Sequence, residues 1–141
     1  MSTFTTANPA VAIHLAAALA ATVLGSLALW ARRSRQQHPR LHRAAGYAWV
    51  TLMVATTVSA LFIRHSSLAL WQGYSLIHLL IPFTLALLVL AFWYLHKRNI
   101  TGHRKTMQGL YLGACVVTGA FTLLPERLLG QLVWSQWLGL L

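Results

Sequence analysis

With 141 residues, 57% of them hydrophobic and only 9% charged, the chain lacks the polar surface of a water-soluble domain, in which roughly 25% of residues are charged. Eleven Lys and Arg against the single acid Glu126 give a formal charge of +10. The cations stand in short runs between long apolar segments, which is how membrane topology is encoded and argues against nucleic-acid binding.

The chain reads as four apolar segments, about 9–30, 44–63, 73–95 and 106–124. Each is close to the ~20 residues whose helical rise crosses ~30 Å of hydrocarbon. None contains Lys, Arg, Asp or Glu. In lipid every backbone group needs an internal partner, so such segments must be helices or a closed barrel, and continuous apolar runs rule out the barrel.

The opening MSTFTTANPA has no basic stretch, and the first segment is too long for a signal-peptide core; a retained helix is expected. Along it His14, Ala18, Ala21 and Gly25 fall on one stripe, a histidine above small residues that admit a neighbouring helix or a flat cofactor. Loop one, 31–43, contains RRSRQQHPRLHR and leads through LHRAAGY into the second segment. His42 and Arg43 stand at its mouth, with Gly46 and Trp49 on the face of His42. Loop two, 64–72, carries one cation, Arg64.

The third segment holds His78, with Pro82 four residues on, where a proline frees the carbonyl of residue 78 and bends a helix. Loop three, 96–105, is HKRNITGHRK and leads through GHRKTMQG into the fourth segment. Met107, Leu110 and Ala114 share the face of His103, and Gly109 with Gly113 forms a small-xxx-small step that predicts close helix approach. The one cysteine, Cys115, lies inside this segment, so no intrachain disulfide is possible. Pro125 ends the helix. The tail, 125–141, is apolar, carries Trp134 and Trp137 and is too short to span; an interfacial helix or a partner contact is expected.

Loops one and three hold nine cations, loop two and the tail one each, Arg64 and Arg127. This asymmetry predicts loops one and three in the cytoplasm and both termini on the outer side of the membrane. The expected fold is all-α: a single transmembrane domain over 1–141, an integral membrane four-helix bundle of two similar helical hairpins plus a C-terminal interfacial segment. The hairpins would be related by an axis along the membrane normal.

Of seven histidines, His38, His65 and His96 fall in loops and are expected at the solvated or headgroup surface. The other four are placed one per helix at two matched depths: His14 and His78 near the outer ends, His42 and His103 at the cytoplasmic mouths. Ionisable groups in spans are costly and face the bundle interior. Helices one and three, and two and four, lie across the diagonals, so each pair of histidines could hold an iron porphyrin between them. The reading is a bis-histidine b-type haem protein with iron held by His14 and His78 at the outer site and by His42 and His103 at the inner. The two levels would lie ~20 Å apart by helix rise. Arg43, Arg104 and Lys105 would meet the inner propionates, and Arg64 and Arg127 the outer. Zinc or copper held by two histidines alone would be short of ligands; Met107 is a soft candidate beside His103, but core packing fits it better. For Arg43 and Arg104 the plain alternative is headgroup-level snorkelling.

The missing carboxylates argue against acid–base hydrolysis by paired acids and against the usual proton-coupled transport, and no metalloprotease or Gly-rich phosphate motif occurs. Transmembrane electron transfer remains, the leading task for histidines and a cofactor, with quinone as a candidate acceptor. The alternatives are an accessory subunit of a larger membrane complex, which the Trp-bearing tail favours, and a small transporter.

RNITGHRKTM leading to GAFTLLPERLLG, with HRAAGY and SLIHLL, resembles an uncharacterised family of small bacterial four-helix membrane proteins, a domain of unknown function. The resemblance covers about Ile13 to Leu129, and His14, His42, His78 and His103 match its histidine positions. Arg98 and Glu126 stand where the family carries glycine. In plan, one histidine per helix paired at two depths is similar to the two-haem transmembrane cytochromes b, an analogy of architecture only.

Overall fold

The computed structural model describes residues 9–63, 76–125 and 128–139. All regular structure among them is helical. Helix α1, Pro9–Arg33, starts on a proline, whose missing N–H costs nothing in a first turn. Its buried stripe is Ala17, Ala21, Gly25, Ala28 and Ala31. Small side chains let the next helix approach the backbone closely. Helix α2, Pro39–Leu61, begins five residues before the expected 44. Pro39 supplies the start, and the polar first turns that follow do not show in an apolar scan. His42 and Arg43 are therefore inside the helix. Both α1 and α2 are long and apolar enough to cross a membrane. Their threonines are tolerated because they bond back along the helix, as Thr22 does to the Ala18 carbonyl (2.9 Å) and Thr56 to that of Leu52 (2.7 Å).

A 3₁₀ turn, Leu76–Leu79, runs into α3, Leu80–His96. Pro82 thus sits in the first turn of α3, where it breaks no helical bond, and the expected proline bend is replaced by a helix start. Loop three is far shorter than 96–105. Helix α3 closes at Lys97–Asn99, with the Asn99 N–H on the Tyr94 carbonyl (2.8 Å) and the Arg98 N–H on that of Leu95 (3.0 Å), the paired bonds of a Schellman cap. Asn99 then caps α4, Ile100–Leu110, its Oδ1 accepting from the Gly102 N–H at 2.9 Å. His103, Arg104 and Lys105 lie in the opening turns of this helix.

Arg98 occupies the left-handed position of that cap, φ 56°, which explains why glycine is the residue expected there. The left-handed conformation costs a side-chain-bearing residue about 1–2 kcal/mol. Arg98→Gly is therefore expected to raise unfolding stability by about 1 kcal/mol, and Arg98→Ala to raise it not at all, in thermal melts of the purified protein.

The rod continues from α4 through a π-helical stretch, Tyr111–Val117, into α5, Thr118–Thr122. The tail forms α6, Leu128–Gln131, then a π-helical stretch, Leu132–Trp137. Trp134 ties it back, its Nε1–H donating to the Leu123 carbonyl at 2.8 Å. A Cβ on Gly130 would strike the Leu124 carbonyl, so this return requires glycine. Trp137, 85% exposed, is left open.

Helix α1 lies along α2 and α3 along α4, while α2 meets α3 and the Tyr111–Val117 stretch meets α1. Tyr47 stacks on Phe92 where α2 and α3 meet (centroids 6.4 Å apart). Ala21, Trp49, Met53, Leu88, Leu110 and Cys115 form the core, and Met107 and Tyr111 pack against it. Tyr111 donates its hydroxyl to the Thr22 carbonyl at 3.1 Å. Outside lies an apolar skin that includes Val23, Leu79, Val89 and Phe121, as lipid exposure requires. The small-xxx-small step is corrected: a Cβ on Gly109 or Gly113 would meet nothing within 4 Å, so neither glycine brings a helix close within this chain. Gly25 does that work on α1.

Candidate functional site

The antiparallel hairpins bring the two helix-opening histidines to one end. His42 is half-buried, and its Nδ1–H donates to the Ala28 carbonyl of α1 at 2.8 Å. His103 repeats the arrangement: half-buried, Nδ1–H to the Ala91 carbonyl of α3 at 2.9 Å. A carbonyl can only accept, so Nδ1 is the donor nitrogen in both rings. Metal-ligating histidines are oriented in the same way, one ring nitrogen donating to a backbone acceptor and the other facing the metal.

At the opposite end, His14 donates Nδ1–H to the Thr56 carbonyl (2.9 Å), with Ser59 Oγ at 3.2 Å. Ser59 gives its own hydroxyl proton to the same carbonyl at 2.9 Å. His78 reaches the Ile63 carbonyl through Nε2, at 3.1 Å. His14 and His78 are thus both anchored on the last turns of α2 and the residue pair after it. The two levels expected for the four histidines are those in which the hairpins hold them, but the outer rings are not equivalent: His14 is held by Nδ1 and His78 by Nε2.

The acceptors Ala28, Ala91, Thr56 and Ile63 carry no sequence signal of their own, because they act through backbone oxygens. One trace exists. Ala28 and Ala91 each precede a tryptophan by two residues, Trp30 and Trp93, so the repeat between hairpins extends into the first helix of each. His38 departs from expectation: it is half-buried, stacked on Trp30 with ring centroids 5.6 Å apart. His96 is exposed, as expected. His65, Arg64, Glu126 and Arg127 lie outside the described residues.

The nine cations of loops one and three are all exposed at the end that holds His42 and His103. Arg43 follows His42 directly, and Arg104 and Lys105 follow His103. Lys97 extends its ammonium over the Trp93 ring, 5.8 Å from the centroid. No Asp or Glu is present among the described residues to neutralise them. Their counter-charge must come from outside the helices, from lipid phosphate, a bound anion or the acid groups of a cofactor. Among the described residues no three His, Cys, Asp or Glu side chains converge. Beside His42, one turn along α2, Gly46 faces open space that a Cβ would not fill.

Residues 11–139 match the family described as Predicted membrane protein (DUF2306), and the chain belongs to that family. This agrees with the resemblance carried by RNITGHRKTM and GAFTLLPERLLG at the level of a membrane protein of unknown function. No match was found among curated proteins or among solved structures.

Proposed function

We propose, for a chain of this membrane-protein family, that it is a b-type cytochrome of the bacterial inner membrane: a four-helix transmembrane bundle with loops one and three in the cytoplasm and both termini outside. The observation that carries the reading is the matched pair of Nδ1–H to carbonyl bonds, His42 on Ala28 and His103 on Ala91. A single bond of this kind would serve an anchor equally well; the same Nδ1 bond repeated at the opening of both hairpins, each leaving Nε2 for another partner, is what favours a pair of ligands.

The residues present fit haem best at the inner level. Two imidazoles offer the same nitrogen there, open space adjoins Gly46, and Arg43, Arg104 and Lys105 are exposed beside the rings. At the outer level His14 offers Nε2, whereas His78 would have to turn its Nε2 away from the Ile63 carbonyl. Haem, when bound, supplies a reversible one-electron couple. The chain's own contributions are separate from it. The Ala28 and Ala91 carbonyls orient the rings and raise their basicity. The cations offset the negative charge of propionates at the cytoplasmic surface. The core from Ala21 to Cys115 keeps water from the space between levels. The electron partners would be a donor on one face and an acceptor such as quinone on the other.

Absorbance of the purified protein tests this. A Soret band is expected as isolated or after addition of haem, at up to two haems per chain. Absence of the band together with failure to take up added haem overturns the proposal. A second reading, an accessory subunit of a larger membrane complex, is favoured by the open Trp137 and Leu138 of the tail; co-purification of a partner by a chain that takes up no haem would support it.

A further inference from the structure

Three of the chain's four sulfur-bearing side chains meet at the core between the two histidine levels. Cys115 and Met53 are buried in it, Met107 packs against it, and they come from three different helical stretches. We propose that Cys115 and Met53 form a site for one soft monovalent metal ion, copper(I), in the middle of the membrane span, with Met107 beside it and Trp49 as hydrogen-bond donor to the bound thiolate.

Four observations support the assignment. The Cys115 Sγ and Met53 Sδ atoms are 3.9 Å apart. The thiol points its S–H at Met53 Sδ, and since two sulfurs each about 2.3 Å from one metal can be at most about 4.6 Å apart, the spacing is one that a shared ion replacing the thiol proton could take. Trp49 is 4% exposed, and its Nε1 makes no well-formed hydrogen bond among the described residues. The Cys115 thiol, a weak acceptor, is the group within its reach. A neutral thiol is a weak acceptor; a metal-bound thiolate is a strong one and would satisfy the orphaned indole N–H. Cys115 also lies in the π-helical stretch Tyr111–Val117, a form of backbone that is rare and concentrated at functional sites.

Charge selects the ion. A monovalent cation on one thiolate is neutral and can be held in a low-dielectric span. A divalent ion would leave a net charge there with no carboxylate to offset it, which is costly in lipid. Thioether and thiolate donors also favour copper(I) over ions that take oxygen or nitrogen. The step balances as one ion in and the Cys115 thiol proton out to solvent, with no change of oxidation state.

The test uses the full chain purified free of haem, so that it stands apart from the cytochrome reading. Under anaerobic conditions copper(I), and silver(I) as a redox-inert stand-in, are titrated against a chromogenic chelator. One ion per chain and one proton released per ion are expected. Cys115→Ser should lose the ion. Met53→Leu, which conserves volume, should bind more weakly, and Trp49→Phe should weaken binding roughly 10-fold as a neighbour of the ligand sulfur. His103→Gln should leave it unchanged. Should Cys115→Ser fail to fold, Met53→Leu decides. Failure of the native chain to bind either ion, or native affinity in Cys115→Ser or Met53→Leu, overturns the site.

Discussion

Replacing His103 by glutamine is expected to abolish haem at the inner level while leaving the fold almost unchanged. Glutamine keeps an N–H that can reach the Ala91 carbonyl, now held by His103 Nδ1 at 2.9 Å. It has no imidazole nitrogen to offer iron. A side-chain hydrogen bond in a membrane interior is worth about 0.6 kcal/mol on average. An anchoring role alone therefore predicts that His103→Gln behaves as the native chain and His103→Ala shows a small loss of stability. The ligand role predicts that both variants lose the same haem. The readout is the haem-to-protein ratio from the Soret band and pyridine haemochrome, beside a thermal melt. The same pair of substitutions at His42, whose Nδ1–H holds the Ala28 carbonyl at 2.8 Å, should empty the same level. A Gln variant that retains full haem would sink the inner-site assignment. His14→Ala should leave the inner haem in place, since its bonds are to Thr56 and Ser59 at the other end of α2.

The second large effect concerns packing. A Cβ on Gly25 would fall 2.5 Å from Tyr111 Cδ2 and 2.7 Å from Trp49 Nε1. Neither ring is a loose end. Trp49 is buried in the core, and Tyr111 is held through its hydroxyl on the Thr22 carbonyl. Gly25→Ala must push one of them aside, and overpacking of this kind costs about 1–3 kcal/mol. It would also disturb the neighbourhood of Cys115, because Trp49 borders it. Gly109→Ala and Gly113→Ala form the contrast. Both positions face open space, and exchange of a mid-helix glycine for alanine gains about 0.5–1 kcal/mol. Thermal or denaturant unfolding of the three variants should rank Gly25→Ala well below the native chain and the other two at or above it. Equal stability of all three would remove Gly25 as the close-approach point between α1, α2 and the Tyr111–Val117 stretch.

The helices were legible because lipid and backbone hydrogen bonding leave few choices for a long apolar run. Their ends were legible less well. Expected starts at 44 and 106 moved to Pro39 and Ile100, because a proline at N1 and an Asn99 cap begin a helix while its first turns are still polar. That shift placed His42 and His103 inside helical turns, where the helix sets their direction, rather than at loop mouths. Pro82 differs from expectation for a related reason: a proline bends a helix only where an i−4 bond is lost, and α3 starts two residues before it.

Charge and apolar content by themselves determined the membrane setting and the all-helical class, because segment length and residue type decide these locally; His78, expected within the third helix, lies instead in the 3₁₀ turn before α3, and His96, expected in a loop, is the last residue of α3. Only the tertiary structure decided which nitrogen each histidine keeps. The partners are carbonyls of Ala28, Ala91, Thr56 and Ile63, and every residue has a carbonyl, so no side chain announces them. The same holds for the sulfur pair. Met53 and Cys115 are 62 positions apart, and no local pattern relates them; they meet because small residues on α1 let α2 and the Tyr111–Val117 stretch pack around one core.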